Sequence, residues 1–396
     1  MGWVMCGETN PPRRSLAGNR RAWRRHALIS KLALFAVMLL AALTSACAEG
    51  SGNNLPPKSA SEWFFADSFT GEVGGFSAAS GRLEQIPGSS LNFSTSFGTP
   101  LPFFSIAVDP EGMFVTGITT NSAGNPTLQI ASIASGGAIS LTQLTATTLN
   151  PLALTISPQG VIAISDGVSI QFFTLQNNAL VAGPTQQTSA NPEELAFGPG
   201  GKVLYALNAG STISVISVAS DLSLQLIQNA SPPLAPGQLG GGLTRIRLNA
   251  AGNKIAATTL DGWLYVGDVN PADGTISGIT EILVAQNANL QELVLDPTGQ
   301  NVYANDQDSG GIYEFSTAGG NLATLAGSPI ATLPGPVGME FNSAGDSLYA
   351  VFGAGFPQPQ IVTYKREPSN GTLTTTGDSV SAGVIFANRM VRVAAH

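Results

Sequence analysis

From residue 61 onward, short apolar runs are broken at close intervals by polar and glycine-rich turns. In Lys202–Val218, an apolar run through Leu207 meets the turn Asn208-Ala209-Gly210-Ser211, and the alternating run Ile213–Val218 follows. Trp63–Phe76 and Asn301–Phe315 read the same way. Period-two alternation punctuated by tight polar turns predicts antiparallel hairpins.

A second kind of turn recurs six times. It reads Asp109-Pro110-Glu111-Gly112, Ser157-Pro158-Gln159-Gly160, Gly198-Pro199-Gly200-Gly201, Asn249-Ala250-Ala251-Gly252, Asp296-Pro297-Thr298-Gly299 and Asn342-Ser343-Ala344-Gly345, with 41 to 51 residues between successive final glycines. Asp, Asn or Ser can bond its own backbone, Pro presets φ, and Gly accepts positive φ, so each copy suits a turn between two strands. A supersecondary unit repeated at this period is a repeat architecture. Each unit also holds a further short strand and a Pro-containing loop, as in Leu83–Pro87 and Leu325–Pro329. Four strands per unit make a propeller blade. The length from Ser61 to His396 holds about seven units. The expected fold is therefore all-β, a seven-bladed β-propeller of four-stranded antiparallel blades. The chain enters at Trp63 in mid-repeat and ends on Asn388–Ala394, which resembles the strand other repeats place before their turn. That C-terminal strand is expected to complete the first blade and so remove an exposed sheet edge.

The Asp-Pro-x-Gly turn, the Val302-Tyr303-Ala304-Asn305 type of strand and the glycine-rich hairpin resemble the seven-bladed lactonase family (6-phosphogluconolactonase-like) and the related surface-layer propeller repeats. The resemblance covers about residues 61–396. It implies the propeller fold and, as an activity, hydrolysis of sugar-acid lactones by polar residues at the channel mouth, His and Arg among them. The Trp-Asp and Gly-His signatures of WD40 repeats and the kelch glycine pair are absent.

The first 60 residues read differently. Seven of the 17 basic residues precede residue 32, an apolar run spans Leu32–Leu43, and Thr44-Ser45-Ala46-Cys47 follows. The apolar run is shorter than the roughly 20 residues a membrane-spanning helix needs. A basic flank, a short apolar core and small residues form a secretory signal. The placement of Cys47 resembles a bacterial lipobox, whose cysteine is lipidated and becomes the new N-terminus; ordinary cleavage near Ala46 is the alternative. The expected organisation is a signal peptide over 1–46, a lipidated Cys47 with a flexible Gly/Ser/Asn/Pro tether over 47–60, and the propeller over 61–396. Localisation in the cell envelope by a lipid anchor follows, with the outer membrane preferred because no acidic residue directly follows Cys47.

Beyond residue 46 the chain carries ten basic and 24 acidic residues, so the body is acidic and unsuited to non-specific nucleic-acid binding. Its two histidines are His26, in the signal, and His396, the last residue. The propeller interior therefore lacks a histidine base or ligand, and a single mature cysteine excludes Cys/His zinc sites. No cofactor or metal is expected. Asp306-Gln307-Asp308 lacks the downstream Glu of a calcium loop and reads as a solvated turn. Phe103, Phe104, Phe172 and Phe173 read as core.

Candidate chemistry lies on the strands that precede the recurring turns. Four residues before each turn stand Ser105, Ala153, Glu194, Arg245, Glu292 and Gly338, with Arg389 or Met390 in the closing strand. Arg247 and Arg392 lie two or three residues further on. Inner strands of a propeller line its central channel, so Glu194, Arg245, Arg247, Glu292, Arg389 and Arg392 should converge there. They form either a site for a small polar or anionic ligand gripped by arginine or a network that holds blades in register. The function classes left open are an envelope-anchored module binding a protein or small ligand, and a lactonase-like hydrolase.

Overall fold

The structure is a computed structural model. It describes residues 62–393 except 69–70, 80–81, 94–104, 110–111, 121–125, 147–150, 177–178, 189–190, 233–241, 333–334, 354–358 and 385–386. The signal, Cys47, the tether, both histidines, Phe103 and Phe104 lie outside the described residues, as do the side chains of Ser105 and Arg389.

Seven sheets of antiparallel strands follow one another along the chain, six of them built from consecutive strands. The exception is blade 1, in which Glu62–Ser68, Glu72–Ala79 and Arg82–Gln85 are joined by the C-terminal strand Ala387–Val393. The join runs from Trp63 opposite Val393 to Ser68 opposite Ala387. The innermost strand of each blade packs beside its neighbours, and the last lies beside both blade 7 and blade 2, so the ring closes. The fold is thus a seven-bladed β-propeller, as the turn spacing and the closing strand predict. In blade 6 the outermost layer is two short pieces, Ala323–Thr324 and Ile330–Ala331, both paired to Gly311–Ser316.

The core is divided as the ring is. Seven clusters of buried apolar residues are found among the described residues, one at each seam between adjacent blades. Alternation explains the division. Along Glu62–Ser68, Phe64 and Ala66 pack toward blade 7, while Trp63 and Phe65 pack toward blade 2. A strand buried on both faces reads as a continuous apolar run, which is why these segments lack an evident polar face. Phe172 and Phe173 divide likewise, between the clusters at the 3–4 and 2–3 seams.

The recurring turns interlock around the ring. Gln159 Nε2 donates to the Gly200 carbonyl at 3.2 Å, and Asn249 Nδ2 to the Pro297 carbonyl at 3.2 Å. A Cβ on Gly252 would stand 2.2 Å from Pro199, and one on Gly345 would stand 2.6 Å from Pro297. With φ values of 66° and 68° as well, these two positions need glycine. Tyrosines on the second strands add cross-seam ties: Tyr205 Oη donates to the Gly274 carbonyl at 3.0 Å and Tyr303 Oη to the Gly371 carbonyl at 2.6 Å. Arg366 reaches from blade 7 into blade 6, where its Nη2 meets Asp296 Oδ2 at 2.5 Å and Asn301 Oδ1 at 2.6 Å.

Candidate functional site in the central channel

The innermost strands are Ser105–Val108, Ala153–Ile156, Pro192–Phe197, Leu243–Leu248, Leu293–Leu295, Gly338–Phe341 and Ala387–Val393. Their pairing registers slip by one residue just before Glu194 and just before Arg245, where the strands enter the ring. Such a slip re-aims the side chains that follow it. Glu194 is 5% exposed and Glu292 2%. The hub between them is Arg247: its Nη1 meets Glu194 Oε1 at 2.8 Å and its Nη2 meets Glu292 Oε1 at 2.9 Å. Glu194 Oε2 also accepts the Ile246 N–H at 2.6 Å. Arg245 lies beside this bridge, with Nη1 3.7 Å from Glu194 Oε1 and Nε donating to the Gln291 carbonyl at 2.9 Å. Burial alone would lower the Arg247 pKa, but the Glu292 and Glu194 carboxylates outweigh it and hold the guanidinium above its usual value.

A second group adjoins the first. Glu62, buried in blade 1, accepts the Ser343 N–H at 2.8 Å and lies 3.4 Å from Arg392 Nη1. Arg392 Nε stands 3.8 Å from Glu340 Oε1, too far for a hydrogen bond, and is buried without a hydrogen-bond partner among the described residues. Burial pushes the Glu340 carboxyl up to about 7; Arg392 and Arg247 pull it down, while Glu292 and Glu62 add to the rise.

A cavity of about 340 Å³ opens between these groups, lined by Glu194, Arg247, Glu340 and Arg392 and, across from them, by Ile106–Val108 and Leu154–Ile156. Of the residues picked out by sequence, Glu194, Arg245, Arg247, Glu292 and Arg392 come together here. Arg389 lies on the same strand as Arg392. Glu340 and Glu62 were not singled out. Glu340 stands two residues before its turn, as Arg247 does, so an alignment at that second register would have found it. Glu62 is on a second strand, where no inner-strand alignment reaches. Asp306 and Asp308 form a turn, with Asp306 Oδ1 accepting the Asp308 N–H at 3.1 Å. Among the described residues no group of three or more His, Cys, Asp or Glu is placed to hold a metal ion.

No family model matches the chain, and no curated protein matches it. Solved structures do. A candidate 6-phosphogluconolactonase from Bacteroides fragilis superposes with a TM-score of 0.67 at 17% identity, over 86% of this chain and 100% of that one. Another from Bacteroides uniformis gives 0.68 at 18% identity, over 85% and 100%. The Pseudomonas aeruginosa periplasmic gluconolactonase gives 0.67 at 15% identity, over 85% and 100%. The structural neighbours are gluconolactonase-like propellers. At these identities the likeness is one of fold, and a fold hosts many functions.

Proposed function

We propose that the propeller is a binding module that takes a small polar ligand in its central channel, against Glu340 and Arg392. The observation that carries this reading is the placement of the Arg392 guanidinium and the Glu340 carboxylate on the wall of the cavity, 3.8 Å apart and not hydrogen-bonded to each other at that distance. A ligand offering an anionic oxygen to Arg392 and a hydroxyl to Glu340 would satisfy both groups. Arg247 is less suited to gripping an anion, because both of its terminal nitrogens already hold carboxylates. We further propose that the module works at the cell envelope, carried there by the N-terminal signal and Cys47 and held by a lipid; the sequence of residues 13–47 supports this.

Glu340 also supports a second reading, hydrolysis of a lactone. A carboxylate with a pKa of about 7 suits a general base at neutral pH, and the structural neighbours include a protein described as a gluconolactonase. One experiment separates the readings. Calorimetric titration of the purified domain with hydroxy acids and polyols should give saturable binding that Arg392→Leu removes. Failure of every compound to bind the parent overturns the binding module. Turnover of a lactone panel by the parent, lost in Glu340→Gln, establishes the hydrolase instead.

A further inference from the structure

The seam between blades 3 and 4 is built unlike three others. In blades 2, 5 and 7 the turn between the third and fourth strands carries a glycine with φ near 80°, at Gly137, Gly274 and Gly371, whose N–H closes the turn on the carbonyl of Ala134, Asn270 or Glu367. None of these positions has room for a side chain. A Cβ there would stand 2.5 Å from Ile86, 2.7 Å from Val203 and 2.4 Å from Asn301, each on the preceding blade. Blade 4 closes its turn over three residues, as blade 2 does and one residue tighter than blades 5 and 7, but with a leucine: Leu222 has φ of 64°, and its N–H reaches the Ala219 carbonyl at 2.9 Å. A bulky side chain in the left-handed region is strained. Leu222 is the only large apolar residue so placed among the described residues.

The preceding blade differs in the matching way. Where blades 4 and 6 use Tyr205 and Tyr303 to fill the seam and bond the next blade's turn, blade 3 has Ala163, which pairs with its inner strand at the equivalent position. The 3–4 seam thus has neither the filling tyrosine nor the tight glycine contact. Ala163 itself is fully buried in the core of this seam; beside it lies a cleft of about 530 Å³, walled by Val161, Phe197, Val218 and Leu222, all only partly buried. Lys202 is the one charged residue lining it, is exposed, and forms no ion pair among the described residues. That volume is in the range of small-ligand pockets.

We propose that this cleft binds the free carboxylate of a single-chain aliphatic acid, with the chain against Leu222, Phe197 and Val161 and the head group at Lys202. A lone cation at the mouth of an apolar cleft, on a molecule that is otherwise acidic, selects an amphiphile with an anionic head. The proposal does not depend on the channel reading.

Laurate is the probe. Titration of the purified domain should show saturable binding, with no binding of laurylamine at the same concentration. Lys202→Met should weaken laurate by about five- to tenfold, the loss of one charge contact. Leu222→Gly restores the residue other blades use, so it should keep or raise Tm while removing laurate binding. Arg392→Leu should leave laurate binding unchanged. Absence of saturable binding by the parent overturns the proposal. So does unchanged affinity in Leu222→Gly, or binding to anionic phospholipid vesicles without binding to free laurate.

Discussion

The two sides of the central channel are made by the same strands in the same register, yet they differ in chemistry. At the position two residues before the turn, blades 2 and 3 place Ala107 and Thr155, whereas blades 5 and 7 place Arg247 and Glu340, and the closing strand of blade 1 places Arg392 across from them. Glu194 and Glu292 reinforce the charged side one register higher. The neutral side shows that the ring closes well with an alanine or a threonine in that seat. Charge is therefore not a condition of closure. Burying an ion network rarely stabilises a protein beyond what apolar residues of the same volume would do. Blades 4 and 6 are neutral in that seat too, with Ala196 and Val294; only when both registers are counted do five blades carry charge and two do without it, which supports the proposal of a polar ligand in the channel.

That contrast can be broken first at its hub. Arg247→Ala takes the bridging guanidinium from buried Glu292 and leaves Glu194 with the Ile246 N–H and the more distant Arg245, and should destabilise the domain by about 3–5 kcal/mol in denaturant unfolding. Replacing the whole bridge, with Glu194→Leu, Arg247→Met and Glu292→Leu together, should recover most of that loss; if it does not, the charges are structural after all.

The second test is pH. Burial raises Glu340 from 4.5 to about 7, and it raises Glu314 likewise, even though the latter accepts the Leu373 N–H at 2.6 Å. The folded state then holds protons that the unfolded chain releases. The stability these two groups lend is complete below pH 4.5 and is lost as pH rises through about 7. Thermal melts across that window should show a falling Tm, and Glu340→Gln and Glu314→Gln should each flatten the slope. A Tm that climbs between pH 5 and 7 would contradict both shifts.

The smallest effect is expected on the neutral side. Thr155→Val, in a seat already filled by alanine in blade 2, should alter stability by no more than about 0.5 kcal/mol and leave the melting curve's pH dependence unchanged.

Turn chemistry made the architecture legible. Pro and Gly at Asp296–Gly299 and its five relatives mark the end of an inner strand by local backbone rules, and the C-terminal strand could be recognised by its likeness to strands before those turns. The site was legible only in part. Aligning inner strands four residues before the turn found Glu194, Arg245 and Glu292, because strand direction and period are regular. Both Arg245 and Arg247 turn toward Glu194, as residues two apart on a strand do, and it is Arg247 that bridges Glu194 to Glu292. Glu340 lay in a column read for arginine alone. Glu62 depends on a contact with Ser343 that spans 281 residues, a distance at which a linear pattern carries no signal.

The join in blade 1 has a thermodynamic consequence. Arg392 sits on the closing strand, its partner Glu62 on the strand it closes against, and both belong to the channel group. Whatever occupies the channel and holds Arg392 must also favour the sealed ring over any open form, by an increment that grows with ligand concentration as RT ln(1 + [L]/Kd). Occupancy and ring integrity are then one coupled equilibrium: a filled channel resists fraying of its last strand, and a frayed strand empties the channel.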